Sequence, residues 1–299
     1  MLRLAATCSC ALALAPQAMP AQTAAVIHFS DAHLHLNDPA LSVRLMDQLG
    51  VDRAIVLAGH NIGNVQLLEA ARRWPGRLFP FLSVSPEHRE FRAAWEADDA
   101  RLNPMIDSAL AAGGYFGIGE ISVTHFPSQG FPEADFDPNG RTMRGLLLAA
   151  RKYRLPIMMH VEITRLRELE AVLAAFRDVT IIWAHGGYTQ LFLAQRLLDA
   201  HPNLIYELSA RTWARHPRSP DYTIFENETT VWAEWVALIE AKPTRFIVGT
   251  DAAGRSEERD RANLDRVRLL LRQLSPETQR LVARANLDRL LHLSTDAGH

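Results

Sequence analysis

His33 and His35 stand one residue apart where an apolar run gives way to polar chain. In a strand, residues i and i+2 project to the same face, so both imidazoles can address one cation from one side of the backbone. That is the geometry of a metal clamp. For either histidine alone, a buried and hydrogen-bonded side chain is the more ordinary explanation. Four further residues of ligand type, Glu120, His160, His185 and Asp251, each close another apolar run. Imidazole and carboxylate suit zinc, and also manganese or iron, so the metal stays open.

Elements of two kinds must position these residues. Short apolar runs rich in Val, Ile and Phe, bounded by Gly, Pro or Asp, read as buried parallel strands at 26–30, 53–57, 78–84, 115–121, 156–161, 179–185, 203–209 and 245–250. Stretches of helical period alternate with them at 41–49, 65–74, 91–112, 143–153, 166–176, 191–200, 231–241 and 263–274. Eight such repeats predict an α/β fold, a single-domain (β/α)8 barrel over residues 23–299. In such barrels the C-terminal strand ends carry chemistry, and every ligand-type residue sits at one. An open doubly wound sheet would need a glycine-rich phosphate turn after its first strand, where this chain has His-Leu-His.

Composition narrows the partners. The chain has 299 residues, 48% hydrophobic and 22% charged, with a formal charge of −2, which offers no electrostatic footprint for nucleic acid or an acidic membrane. A small-molecule substrate is the expected partner, and a homo-oligomer stays open. Residues 1–22 read as a signal peptide: Arg3 opens a basic start, 4–15 is an apolar run too short to span a bilayer permanently, and small residues follow at 18–21. A periplasmic or secreted location follows, with a ragged cytoplasmic N-terminus as the alternative. Both cysteines, Cys8 and Cys10, lie in this segment, so the mature chain would hold no disulfide, thiolate nucleophile or cysteine-bound zinc.

The motif order, His-x-His on the first strand, a carboxylate on the fourth, His on the fifth, His on the sixth and Asp on the eighth, resembles the amidohydrolase superfamily. Its members are metal-dependent hydrolases on a distorted (β/α)8 barrel. The likeness runs from Val26 to residues 286–291, a segment similar to the Asn-x-x-Arg-Leu close of the amidohydrolase-related branch. The compact chain looks like that branch and like TatD-type and phosphotriesterase-type enzymes, and less like urease or dihydroorotase. Two-metal members often bridge their ions with a carboxylated lysine, but neither Lys152 nor Lys242 ends a strand. The resemblance therefore gives the bridging place to Glu120, with His33, His35, His160, His185 and Asp251 completing a two-cation site. A one-cation site of His33, His35, His160 and Asp251, with His185 free to act on substrate, remains open.

Such a cation lowers the pKa of its water from about 15.7 to about 7, which makes hydroxide available at neutral pH. Asp251 is the expected general base, and His185 a donor to developing negative charge if it is not a ligand. The expected reaction is hydrolysis of an amide, ester, lactone or related bond of a small organic molecule. Decarboxylation of an aromatic acid is the first alternative, and Glu120 counts against it, because decarboxylases of this likeness generally lack a carboxylate there. A TatD-like phosphoester hydrolase lacks the expected basic groove. A non-catalytic binding barrel would have no use for all six ligand-type residues. Specificity should reside in the loops after the strands. Arg211 and Trp213 after the seventh strand, on a loop that could equally be a surface excursion held by its prolines, His125 with Phe126 and Phe131 after the fourth, and His60 after the second are the candidate pocket walls. Trp183 is expected to share the face of His185 and fill a lower barrel layer.

Overall fold

The structure is a computed structural model that describes residues 26–127, 133–213, 222–254 and 256–293. The proposed signal segment 1–22, Phe131 and residues 214–221 of the loop after the seventh barrel strand lie outside the described residues.

Eight parallel strands follow one another around a single sheet in chain order: β1 (Phe29–Leu36), β2 (Val51–Ala58), β3 (Leu78–Leu82), β4 (Gly117–His125), β6 (Ile157–Val161), β7 (Ile181–Trp183), β8 (Leu204–Glu207) and β9 (Phe246–Ile247). A two-residue strand, β5 (Ala134–Asp135), adds antiparallel to β4. Between the strands run α1 (Pro39–Gln48), α2 (Asn64–Arg73), α3 (Arg89–Ala97), α4 (Asn103–Ala112), α5 (Arg141–Tyr153), α6 (Leu166–Ala175), α7 (Leu191–Ala200) and α8 (Ala233–Ala241). After β9 come α9 (Glu257–Leu271), α10 (Pro276–Arg280) and α11 (Asn286–Leu290). The ring closes where the chain beyond β9 runs along β1: Ala32 N donates to Val248 O, Asp251 N to His33 O and His35 N to Ala252 O, each at 2.9 Å. This is the expected (β/α)8 barrel, and its closure brings Asp251 against the two histidines of β1.

Alternation along the strands divides the core in two. Ile55, Leu57, Phe79, Phe81, Met158, Ile182 and Ile247 point inward and pack with Leu287 and Leu291 from the C-terminal helix, which stops the N-terminal end of the cylinder. Val56, Ile118, Ile157, Met159, Ile181 and Tyr206 point outward and pack under the helices. The segment 286–291 thus has a structural task at the rim opposite the chemistry: Asn286 Nδ2 donates to the Pro243 and Phe246 carbonyls at 2.7 and 2.8 Å.

Three expectations are corrected. The first strand begins at Phe29 and continues to Leu36, so His33 and His35 lie within it rather than beyond it. The stretch 91–112 is two helices, because Asp98 turns left-handed at φ 45° and its carboxylate is held by Thr142 N at 2.9 Å. Trp183 faces the helix layer and donates to Val161 O at 2.8 Å. The i, i+2 rule fails there because β7 ends at Trp183 and His185 adopts φ 55°, which reverses the side-chain direction.

Candidate metal centre

Local irregularities aim the site residues. The pairing of β1 with β2 shifts register between Asp31 and Leu34, and that of β4 with β6 between Ile118 and Ile121. Such bulges re-aim side chains, here His33 and Glu120. Past β7, His185, Gly186 and Gly187 take φ of 55°, 52° and 55°, and Asp251 takes φ 51°. Non-glycine residues held at positive φ are uncommon and cluster at functional sites. Glycine is required at 186 on two counts, since a Cβ there would meet Tyr206 Cζ at 1.7 Å.

The result is a compact set of donors around one carboxylate. Glu120 Oε2 lies 3.2 Å from His33 Nε2 and 3.4 Å from His35 Nε2. Asp251 Oδ1 joins this side, 3.7 Å from His33 Nε2 and 3.5 Å from His35 Nε2. Glu120 Oε1 faces the other way, 3.1 Å from His160 Nδ1 and 3.4 Å from His185 Nε2. Two groups, His33 with His35 and Glu120, and Glu120 with His160 and His185, bring their ligand atoms within 4.8 Å of one another. All six residues named from the sequence as a metal set therefore meet at one rim.

Each imidazole has an acceptor on its far nitrogen. His35 Nδ1 is 3.1 Å from the Ala58 carbonyl, and His185 Nδ1 is 3.1 Å from the Ser209 carbonyl. His33 Nδ1 is 3.2 Å from Glu207 Oε2, and His160 Nε2 is 3.3 Å from Glu162 Oε1. A carbonyl only accepts, so Nδ1 of His35 and of His185 carries a hydrogen, and in the neutral, metal-binding form of these rings the opposite lone pair faces Glu120. This is the arrangement that fixes tautomer and ring orientation in metal-binding histidines. The donor set fits one or two divalent cations, with Glu120 as the shared ligand.

Electrostatics bind the cluster as a unit. Burial opposes charge on His33, yet Glu120 and Glu207 raise its pKa well above the usual imidazole value. His160 is raised to about 9 against the same burial penalty by hydrogen bonds to Glu120 and Glu162. Glu120 is held well below the carboxylate range despite burial, by His33 and by hydrogen bonds from His160 and His185. Asp31, raised by burial to about 6, accepts from His33 N and Thr250 N at 3.0 Å and from Thr250 Oγ1 at 2.5 Å, locking β1 to the chain beyond β9.

The proposed pocket walls are placed unevenly. His125 lies beside the centre, its ring 4.7 Å from that of His160, and burial with the His160 charge lowers its pKa to about 4. Trp213 ties its loop to the centre's rim through Nε1 and the Thr250 carbonyl at 3.3 Å, with Arg259 5.1 Å above its ring. Arg211 is 2% exposed, donates to Thr189 O at 2.9 Å and lies 5.0 Å over the Trp235 ring of α8. The loop thus holds this guanidinium buried against α8. His60 is exposed after β2, with its backbone nitrogen on Asn37 Oδ1 at 2.9 Å.

Sequence reasoning missed several residues. Glu207 ends β8, fully buried, accepting from His185 N at 3.1 Å and Ser209 Oγ at 2.7 Å. Glu162 follows β6 and is 2% exposed. The signals were an acid inside an apolar run and an acid two residues past a histidine. Glu87, on the loop after β3, accepts from Ser122 Oγ at 3.3 Å, its carboxyl pushed up by burial and by Glu120. Tyr188 stacks on His185 at 5.3 Å and on Tyr222 at 4.5 Å. Phe126 and Ile163 leave exposed apolar surface on the loops after β4 and β6.

Comparison with known proteins places this geometry. No curated protein matches the chain by sequence. Among solved structures, a probable 2-pyrone-4,6-dicarboxylic acid hydrolase from Acinetobacter baumannii, with citric acid bound, superposes with a TM-score of 0.61 at 13% identity, covering 89% of this chain and 100% of its own. A TatD homologue from Escherichia coli K12 gives 0.60 at 18% identity, covering 89% and 98%. A 5-carboxyvanillate decarboxylase from Novosphingobium aromaticivorans, complexed with manganese, gives 0.52 at 14% identity, covering 84% and 79%. At these identities the likeness speaks for the fold. The amidohydrolase family model matches residues 30–293, and the chain therefore belongs to the amidohydrolase family, a metal-dependent hydrolase-type enzyme on a (β/α)8 barrel.

Proposed function

We propose that the protein hydrolyses an amide, ester, lactone or related bond of a small organic substrate with two divalent cations bridged by Glu120. The observation that carries this reading is the division of Glu120: Oε2 faces His33, His35 and Asp251, while Oε1 faces His160 and His185. A carboxylate with imidazoles on both of its oxygens is built to be shared between two ions. Cations held there would supply an acidified water at neutral pH and polarise the scissile oxygen. Their nitrogen and oxygen ligands suit zinc first, with manganese or iron as substitutes.

Asp251 keeps part of its side chain open at the rim, 3.5 Å from His35 Nε2. From there it accepts a proton from the attacking water and returns it to the leaving group, the role of general base and then acid. Glu207 and Glu162 hold His33 and His160 in register, and the Ala58 and Ser209 carbonyls do the same for His35 and His185. Phe126 and Ile163 give the rim an apolar margin for the organic part of the substrate. No helix among the described residues is long and apolar enough to cross a membrane. With the proposed signal segment at 1–22, the reading is of an exported enzyme.

Metal analysis of purified protein, followed by a panel of lactones, amides, phosphate esters and carboxylated aromatics, tests the reaction class. Two equivalents of metal with release of acid or amine from a lactone, ester or amide supports the proposal. Carbon dioxide from a carboxylated aromatic would replace it with decarboxylation, and turnover confined to phosphate esters would place the enzyme with phosphoester hydrolases. Glu120→Gln is expected to bind at most one equivalent; retention of two would remove the bridge from the argument.

A further inference from the structure

Beside the Glu120 centre lies a second donor set that the proposed reaction does not use. His125, the last residue of β4, His160 on β6 and Glu162 just past it bring one ligand atom each to within 4.8 Å of the others. Strand pairing creates the juxtaposition: β4 and β6 are neighbours, and His160 and Glu162 are i and i+2, on one face. His160 takes part through Nε2, 3.3 Å from Glu162 Oε1, whereas its Nδ1 faces Glu120. His125 Nδ1 lies 2.5 Å from the Phe126 carbonyl, so Nδ1 carries the hydrogen and Nε2 the lone pair.

Glu162 supplies the independent observation. It is 2% exposed, and its Oε1 is used by Phe126 N at 3.0 Å and by His160. Its Oε2 has no hydrogen-bond partner among the described residues. A buried carboxylate oxygen without a donor is costly, and a cation is one of the few partners that would satisfy it. His125 is half-buried, where His160 and Glu162 are buried.

We propose that His125, His160 and Glu162 form a third divalent-cation site, weaker than the Glu120-bridged pair. The proposal rests on reading the Glu120 centre as a metal site. The ion would draw on His160 through Nε2, the nitrogen turned away from Glu120 and toward Glu162. Sharing His160 with the Glu120 centre is why the site fills last. An ion there draws on a histidine the centre needs and occupies the rim beside Phe126, so excess metal would act on the same surface that receives substrate.

Equilibrium dialysis of chelator-stripped, full-length protein against rising free zinc tests this by difference. The wild type is expected to take up one more equivalent than Glu162→Gln or His125→Gln, at free zinc at least about 100-fold above that filling the earlier sites. Circular dichroism and melting temperature confirm that the variants are folded, and His125→Gln, which leaves the Glu162 contact of His160 in place, is the deciding variant. A total unchanged by both substitutions overturns the third site and leaves the two-ion reading standing. A drop from two equivalents to one in His125→Gln, which leaves the Glu162 contact of His160 in place, supports the third site while overturning the two-ion centre.

Discussion

Asp251 and Glu120 carry opposite parts of the residue-scale argument. Asp251→Asn keeps the shape and a donor–acceptor group at the rim while removing the base, so turnover is expected to fall by about 10²–10⁴-fold with the melting temperature little changed. Near-native rates in that variant would reassign the base. The imidazoles make a separate prediction about protons. His160, raised to about 9 without a cation, is mostly protonated at pH 7, and metal needs its neutral form. Metal binding at pH 7 should therefore release protons, and affinity should climb as pH rises toward 9 and weaken as it falls. Calorimetry of zinc binding in buffers of different ionisation enthalpy reads the count; a binding heat independent of buffer would contradict it. Glu162 and Glu207, which set these histidines, were open to discovery in the sequence as acids among apolar neighbours, but nothing in the chain says which histidine each one faces.

At the scale of elements, the strand ends and the turns after them decide the chemistry. The turn after β7 must reverse the chain within three residues to bring His185 inward, and Gly186 does so under the Tyr206 ring. Gly186→Ala puts a Cβ at 1.7 Å from Tyr206 Cζ with φ at 52°. Overpacking and left-handed strain together should cost about 2–4 kcal/mol, seen as a lower denaturant midpoint and lost metal. An unchanged midpoint would show that the turn is not tightly packed. The eight strands were legible because buried parallel strands read as continuous apolar runs. The bulges in β1 and β4 were not, since register shifts depend on the neighbouring strand. The outward turn of Trp183 escaped for the same reason: it follows from where β7 stops, and the apolar run itself continues past that point.

On the whole-molecule scale, the barrel and the metal centre support each other. Closure between β1 and the chain after β9 places Asp251 against His33 and His35, and Asp31 pins the seam through Thr250. Bound metal should stabilise the fold by mass action, by about 2.7 kcal/mol at a hundredfold excess over the dissociation constant. Chelation is then expected to lower the melting temperature by roughly 5–10 °C, with recovery on adding zinc. A melting curve indifferent to chelator would mean that the donors hold no ion in the folded protein. The loop bearing Arg211 marks the limit of sequence reading at this scale. An arginine and a tryptophan in a long polar loop suggest a substrate wall or a surface excursion, and nothing local in the chain says that Arg211 packs buried against Trp235.

By itself the sequence determined the barrel and the six ligand-type residues, because hydrophobic period and the order of motifs are local properties of the chain. Tertiary structure alone decided that Glu120 divides its oxygens between two groups of histidines and that Glu207 and Glu162 stand behind them. It also decided that Arg211 packs buried against Trp235. Each of these depends on distances between segments far apart in the chain, and only the closing of the cylinder fixes them.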